Sequence, residues 1–310
     1  MNKVLLIDSN YICHTARHAF GELEHNDKRT GVIFGMLDQI LRLTTEFQTN
    51  DVIFFWDTGK SRRKRICNSY KSSRKSQKDD PNYPEDMEQF NLLRESILPR
   101  IGFNNHISAD GYEADDLIYV YCETHQEQDK VVVSSDQDLY QVFQFPNVLI
   151  YRIGKKKKSY SEKDFRDEFG IDPVIWKIIK ATAGCSSDDI KGAVGVGEKT
   201  AIKYYTKELT KGKKYDEIVR FIQTPEYRLN LRLVTLPFRD LKLPALKENN
   251  FSVNALKHVL CKYGMNSMLE AEVVERWEGM LNGVFLKSHQ MDDFRNIKML
   301  KRSKKSFKEQ

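Results

Sequence analysis

Val4-Leu5-Leu6-Ile7-Asp8, an apolar run closed by an aspartate, sets the pattern from which the fold can be read. Val52-Ile53-Phe54-Phe55-Trp56 repeats it and ends on Asp57. Val131-Val132-Val133 repeats it with Asp136 three residues on, and Val148 to Tyr151 is a fourth run. Short uninterrupted apolar runs of this kind suit strands buried on both faces. Helical stretches separate the first three. The alternation predicts an α/β protein, a mainly parallel sheet flanked by helices. Sites in such sheets form at the C-terminal strand ends, which is where Asp8, Asp57 and Asp136 fall.

The chain has 310 residues, enough for one large α/β domain and a smaller helical one. The expected division is a core over residues 1–171, a mostly helical region over 172–283 and a basic tail over 284–310. Asp172 is read as a helix cap with Pro173 in first position. Ile175, Ile178, Ile179 and Thr182 then follow at helical spacing, and Ala201, Ile202 and Tyr205 form the face of a later helix. Apolar residues are 40% and charged residues 30%, with a formal net charge of +6. That balance by itself implies little about partners. Five cysteines, Cys13, Cys67, Cys122, Cys185 and Cys261, have no zinc-knuckle spacing. Neither a disulfide framework nor a zinc site is expected, and a reducing compartment fits. The first apolar run is too short for a signal peptide, and no stretch approaches the roughly 20 apolar residues of a membrane span. The expectation is an intracellular, cytoplasmic monomer away from membranes.

Gly111-Tyr112-Glu113-Ala114-Asp115-Asp116-Leu117 opens an amphipathic helix and crowds three acids into its first turn. Capping alone accounts for such acids, with Asp110 as cap and Glu113 as its capping-box partner. The other acids weigh against that reading. Asp136 and Asp138 follow a strand, Asp188 and Asp189 flank a glycine-rich turn, and with Asp8 and Asp57 the candidates number nine. Carboxylates gathered in one cleft repel unless cations bind. Oxygen-only donors suit magnesium or manganese. Two such ions about 4 Å apart support phosphodiester cleavage.

Between Lys60 and Lys78 stand nine basic residues and no acid. Such a run is commonly solvated surface. Inside the α/β core and directly after Asp57, it also suits drawing a nucleic-acid strand over an acidic cleft, with Tyr70 placed to stack on a base. Gly192-Ala193-Val194-Gly195-Val196-Gly197 precedes a helix and offers backbone N–H groups to a phosphate. It lacks both P-loop and dinucleotide-fold spacing, so a hairpin gripping duplex backbone without reading sequence fits better. Lys155 to Lys158 is read as a hairpin tip.

Taken in order, Leu6-Ile7-Asp8, Phe55-Trp56-Asp57, Tyr70-Lys71-Ser72-Ser73-Arg74-Lys75, Tyr112-Glu113-Ala114-Asp115-Asp116, Ser134-Ser135-Asp136-Gln137-Asp138 and Asp188-Asp189-Ile190-Lys191-Gly192 through Lys199 resemble the 5′-nucleases. That family includes flap endonucleases, the 5′-exonuclease domain of DNA polymerase I and bacteriophage RNase H, and the look is nearest the phage branch. The resemblance spans roughly residues 1–205. It implies a PIN-like nuclease core with a basic arch at about 59–84 and a helix-three-turn-helix duplex grip. It matches Asp8, Asp57, Glu113, Asp115 and Asp116 to a first metal cluster and Asp136, Asp138 and Asp188 to a second. It implies catalytic roles for those acids other than Asp188, and for Lys71 and Arg74 of the arch. Tyr70, Lys71, Arg74 and Lys75, with Gly192, Gly195, Gly197, Lys199 and Thr200, are the implied DNA contacts, the glycine turn with a potassium ion. The implied cofactors are two Mg2+ or Mn2+ ions. The implied substrates are 5′ flaps, nicked or gapped duplex and RNA–DNA hybrid, acted on in replication or repair by a nucleoid-associated enzyme that could be phage-encoded. For the tail, a sliding clamp, a single-strand-binding protein and no partner all stay open.

One departure stands out. The family has an aspartate directly after the glycine matched by Gly184, where this chain has Cys185. A thiol is a poor magnesium ligand. The second site is then weaker, favours manganese, or uses Asp188 or Asp189 instead. Two other readings compete with the structure-specific nuclease: a PIN-domain ribonuclease on single-stranded RNA, and a non-catalytic branched-DNA binder.

Overall fold

The structure, a computed structural model, describes residues 3–59, 61–73, 79–155, 158–238 and 241–285. Its strands are β1 (Val4–Asp8), a small hairpin β2 (Glu24–His25) and β3 (Lys28–Arg29), β4 (Val52–Phe55), β5 (His106–Ile107), β6 (Lys130–Val133), β7 (Val148–Tyr151), β8 (Ser159–Ser161), and a short pair β9 (Gly184–Cys185) and β10 (Ile190–Lys191). Six form one sheet in the order β5-β4-β1-β6-β7-β8. The first five run parallel and β8 is antiparallel to β7. The four expected strands are present, and the short β5 and β8 complete the edges. The lysine-rich tip does join β7 to β8, although Lys156 and Lys157 lie outside the described residues.

Successive residues of each central strand serve opposite cores, as the two-residue period of a strand requires. Leu5, Ile7, Val52, Phe54, Val131 and Val133 face α1 (Ser9–Phe20), α2 (Gly31–Phe47) and the buried side of α4 (Tyr83–Leu92). Val4, Leu6, Ile53, Phe55, Val132 and Ile150 face α6 (Ala114–Thr124), α7 (Glu162–Phe169) and α8 (Trp176–Ala183). The second core continues into α9 (Glu198–Tyr205) and α10 (Lys213–Phe221) through Ala201 and Ile218. The chain then passes through α11 (Pro225–Val234) and returns to the first core. There Leu256, Val259 and Leu260 of α12 (Val253–Lys262) join the cluster beside the helix at Leu98–Ile101, and Trp277 and Met280 of α13 (Ala271–Leu281) join it beside α2. Between α2 and α4 the segment after Asp57 carries α3 (Arg62–Ile66), and α5 (Leu98–Ile101) follows α4. Among the described residues, no helix is long and apolar enough to cross a membrane.

Two helix starts bear on the site. Asp172 does cap, accepting the Val174 N–H at 2.9 Å, but Pro173–Ile175 is a 3₁₀ turn and the α-helix starts at Trp176. The helix after Gly111 begins at Ala114, so Glu113 and not Asp110 is its cap. Gly111 is left-handed at φ +84°, and Asp116 turns back to accept the Glu113 N–H at 3.1 Å. The chain must complete that turn before helical hydrogen bonding can begin.

His106, on edge strand β5, is packed as a neutral ring. It stacks on Phe54 with centroids 5.1 Å apart, its Nδ1 accepts from Trp56 Nε1 at 3.2 Å, and its Nε2 donates to the Phe103 carbonyl at 2.8 Å. Burial pushes its pKa down to about 4, against the Phe103 hydrogen bond. The folded value lies below the ordinary 6.5, so the stability it protects is complete above pH 6.5 and is lost as pH falls toward 4. His106→Phe, which cannot take a proton, should gain on wild type by about 3 kcal/mol between pH 7 and pH 4. Urea denaturation of both proteins at the two pH values measures this, and a constant gap would contradict it.

Candidate active site

Because β4, β1 and β6 are adjacent and parallel, their C-terminal ends share one edge. Asp8 closes β1, Asp57 lies two residues past β4, and the Ser134 to Asp138 turn follows β6. Asp8 accepts the Tyr11 N–H at 3.1 Å through Oδ1, capping α1, and the Ser134 hydroxyl at 2.9 Å through Oδ2. Burial raises its pKa to about 7; Asp57 and Asp136 add to the shift and those two hydrogen bonds oppose it. Asp57 Oδ1 accepts the Ala114 N–H at 2.7 Å, so the first turn of α6 is held against the end of β4. That contact brings Glu113 and Asp115 to the same edge. Asp115 is pushed well above the ordinary carboxylate range by burial and by Asp116.

The segment before Arg74 docks onto this turn. Lys71 Nζ lies 2.6 Å from Glu113 Oε2, and the Tyr70 hydroxyl donates to the same oxygen at 3.0 Å. Burial alone would raise the Glu113 carboxyl, but Lys71 and Arg63 outweigh it and hold it at about 2. Lys71 N donates to the Asp188 carbonyl at 2.9 Å and Ser73 N to Asp189 Oδ2 at 2.8 Å. Lys71 takes a left-handed φ of +51° to make this turn. Arg74 and Lys75 lie outside the described residues.

The second group of acids sits beside the first. Asp136 Oδ1 accepts the Asp138 N–H at 2.8 Å. Asp138 is buried, its Oδ1 accepts no hydrogen bond, and its pKa is raised to about 7 by burial and by Asp136 against the pull of Lys180. Lys180 Nζ stands 3.5 Å from Asp138 Oδ1 and 3.2 Å from Glu198 Oε1, from a lysine only 5% exposed. Cys185 is half-buried, with Sγ 3.1 Å from Ser187 Oγ, and burial raises its thiol pKa so that it stays neutral. Asp188 is buried near Asp138, whereas Asp189 is turned to Ser72 and Ser73.

The glycine turn is built on Ala193 and Val196, both buried, with Ala193 N donating to the Thr182 carbonyl at 2.8 Å. Val194 is 78% exposed at its tip. Gly195 needs its left-handed φ of +70°, and Gly192 abuts the backbone of Ala183 and Gly184 so closely that a Cβ would lie 2.2 Å from a carbonyl carbon. Gly197, the N-terminal flank of α9, has an ordinary φ and open space around it, so the protein's own packing does not require glycine there. Lys199 is exposed and Thr200 half-buried.

Among the described residues, no three acidic, cysteine or histidine side chains already stand in a tight metal-enclosing group. Protein cations occupy that role: Lys71 on Glu113, Lys180 near Asp138, Arg63 on Asp116. The donor set nevertheless suits a hard divalent cation. It is all carboxylate, two of its members are raised to about 7 by burial and by neighbouring carboxylates, and one buried oxygen has no hydrogen-bond donor.

Comparison with known proteins decides the family. Residues 3–170 match the model of the 5′-3′ exonuclease N-terminal, resolvase-like domain. A 5′-3′ exonuclease of Mycoplasmopsis pulmonis is 31% identical over 201 residues, covering 64% of each chain. That of Bacillus subtilis is 32% identical over 211 residues, covering 65% of this chain and 69% of its own. The match thus spans about two thirds of these curated relatives. The bacteriophage T5 5′-exonuclease, solved with divalent zinc ions, shares the fold at a TM-score of 0.62 and 20% identity, over 88% of this chain and 99% of its own. The T5 flap endonuclease in a complex with DNA and metal ions superposes at 0.61 and 19% identity, with the same coverage. The chain belongs to the 5′-3′ exonuclease family.

Within this 5′-3′ exonuclease fold, two of the residues picked from sequence are not where that reading put them. Tyr70 is only 3% exposed and packs with Ala181, Ile190, Leu233 and Val234. Its ring has no open face for a base, and its hydroxyl serves Glu113 instead. Asp116 has no lone pair left for a metal. Oδ2 accepts from Arg63 Nη1 at 2.7 Å and Glu113 N at 3.1 Å, and Oδ1 from Arg63 Nη2 and Phe238 N, both at 2.8 Å. Four donors fill the four sites of a carboxylate. Conversely, Arg63 and Lys180 carry no local signal in the sequence. Arg63 is one of nine like residues in its run, and Lys180 lies one position after the apolar Ile178–Ile179 pair; only tertiary packing sets them apart.

The crowding has a thermodynamic signature in the metal-free protein. The folded pKa of Asp8, about 7, lies above its ordinary 3.8, so the stability it supplies is complete below pH 3.8 and is lost as pH rises through 7. Asp8→Asn keeps an acceptor for the Tyr11 N–H. In chelator it should gain on wild type between pH 4 and pH 8 by on the order of 2–4 kcal/mol. Urea denaturation at both pH values checks this; a gap independent of pH would mean that Asp8 carries no unfavourable charge.

Proposed function

We propose that the chain is a divalent-metal-dependent, structure-specific 5′-nuclease hydrolysing DNA phosphodiesters near single-strand/duplex junctions. Its substrates are 5′ flaps, nicked or gapped duplex and RNA–DNA hybrid ends, with 5′→3′ exonuclease action. The observation that carries this reading is the gathering of Asp8, Asp57, Asp115, Asp136 and Asp138 on one sheet edge beside the docked Lys71. Asp8, Asp57, Glu113 and Asp115 would hold one magnesium or manganese ion, and Asp136, Asp138 and Asp188 a second. Such a pair, when bound, activates a water and stabilises the leaving oxygen. Lys71 is tied to Glu113 in the free protein and would turn its ammonium to the scissile phosphate as a cation takes over that carboxylate. Lys71 would thus orient the phosphate, an effect on positioning more than on affinity.

The Gly192–Thr200 turn would grip the duplex arm through backbone N–H groups and Lys199, with a potassium ion a further element of the proposal. This exposed turn favours a duplex-junction substrate over single-stranded RNA, whose cleavage needs no such grip. Cleavage of a DNA flap and of single-stranded RNA, each with and without magnesium, tests the reading. Magnesium-dependent cutting of the flap is expected, and cutting of RNA alone, or of neither, would overturn it. Asp8→Asn and Asp115→Asn should each lower the single-turnover rate by more than about 100-fold while leaving duplex affinity within a few-fold. Wild-type rates in either variant would remove that residue from the metal site.

Cys185 marks the second acid group. Its neutral sulfur adds no charge for a hard cation. Cys185→Asp should therefore lower the half-saturating magnesium concentration several-fold and raise the rate at limiting metal, and manganese should support wild-type cleavage at lower concentration than magnesium. Metal titrations of both proteins on one flap substrate make the comparison; equal half-saturation points would show that Asp188 already fills the position.

A further inference from the structure

Arg63 is only 1% exposed and Asp116 is completely buried. The guanidinium meets the carboxylate with two parallel hydrogen bonds of 2.7 and 2.8 Å. Arg63 Nε donates to the Leu233 carbonyl at 2.7 Å and Nη2 to the Thr235 carbonyl at 3.4 Å. Its plane lies over the Phe238 ring, 5.2 Å from the centroid. Asp116 in turn accepts the N–H groups of Phe238 and Glu113. One ion pair thus joins three segments distant in sequence: the start of the basic segment, the first turn of α6, and the 233–238 stretch at the C-terminal end of α11.

As a stability device this pair is poor. Desolvation of two buried charges commonly cancels their attraction, and a well-packed apolar pair of similar volume is often as stable. What an apolar pair cannot supply is direction. Arg63 offers donors in a rigid plane, so its fork fixes the angle of the Asp116 carboxylate. Asp116 holds the Glu113 N–H, and Asp115 is its chain neighbour. Lys71, eight residues after Arg63, closes the same stretch of chain back onto Glu113. The position of Lys71 and of the two α6 acids is therefore set from the Arg63 end.

We infer that Arg63 is a positioning residue: through Asp116 it fixes the α6 turn that carries Glu113 and Asp115, and it registers Lys71 and the 233–238 segment to that turn. The inference rests on the metal-dependent nuclease reading above, but its test does not depend on cleavage. Partners that orient metal ligands typically change metal affinity or activity by about 10–100-fold when removed.

The experiment compares wild type, Arg63→Lys, and the double variant Arg63→Met with Asp116→Leu, all as full chains. Binding of Mn2+ to the DNA-free protein is followed by electron paramagnetic resonance, flap-DNA affinity is measured in calcium, and single-turnover cleavage is measured at saturating DNA and metal. The double variant leaves the Glu113 and Phe238 N–H groups without their acceptor and should melt below wild type, yet stay folded and bind DNA within about 3-fold while losing roughly 10-fold or more in Mn2+ affinity and about 100-fold in rate. Arg63→Lys keeps the charge without the fork and should fall between. Mn2+ affinity and rate within about 3-fold of wild type in the folded double variant would overturn the inference. So would DNA affinity that falls in step with the rate at unchanged Mn2+ affinity, since Arg63 would then be a phosphate contact. If the double variant does not fold, a wild-type-like Arg63→Lys overturns it equally. If wild type cuts no flap, the nuclease reading fails while the Mn2+ comparison still decides this one.

Discussion

Three parallel strands side by side, β4-β1-β6, each delivering acids at or just past its end, impose the constraint on which the molecule is built. Chain direction is the same in all three, so Asp57, Asp8 and the Asp136–Asp138 turn cannot be dispersed over the surface. Packing half-buries Asp8 and Asp57 and buries Asp138, and burial is the largest cause that raises Asp8 and Asp138 to about 7. The neutralising cations come from outside the sheet: Lys71 and Arg63 from the segment after β4, Lys180 from α8. On the proposed reading, the site is a compromise between folding, which favours fewer buried charges, and cation binding, which needs them.

The same device fastens both ends of the basic segment. At its start, Arg63 is locked to Asp116. At its far end Asp86, only 1% exposed, receives Arg17 Nε at 2.7 Å and Arg29 Nε at 3.0 Å, while Asp80 also meets Arg17 and the Arg29 N–H reaches Glu85 at 2.7 Å. One end is anchored on α6 and the other on α1 and the β2–β3 hairpin. A guanidinium fork suits this use, because it fixes angle as well as distance.

Much of this was legible in sequence, for a definite reason. Strands buried on both faces read as unbroken apolar runs, and acids at their ends read as exceptions to burial, so Val4–Asp8 and Val52–Asp57 announce both sheet and site. The rest depends on contacts across long separations. Tyr70 among lysines and arginines reads as a ring for stacking, yet Leu233 and Val234, more than 160 residues later, cover it. Asp116 beside Asp115 reads as a second ligand, and only the arrival of Arg63 and the Phe238 N–H shows its oxygens to be filled. Nothing local distinguishes Arg63 from Arg62, whose guanidinium instead lies on the Tyr112 ring. The α12–α13 region carries no motif because its task is apolar packing on α5 and α2, which many sequences satisfy equally well.

Cys185 shows how finely the charge of such a site is set. If Asp136, Asp138 and Asp188 are ionised they carry three negative charges, and Lys180, raised above its ordinary pKa, returns one. A neutral sulfur at Cys185 leaves that sum at minus two, which one divalent ion balances. An aspartate in its place would make the sum minus three. That charge would hold a cation more firmly, and it would also push Asp138 further from its ordinary range whenever the cation was absent. Lys180 is already divided between Asp138 and Glu198 and could offset only part of the addition. On the proposed reading, then, the thiol gives up cation affinity for a less strained metal-free state, and the second cluster fills only when metal is plentiful.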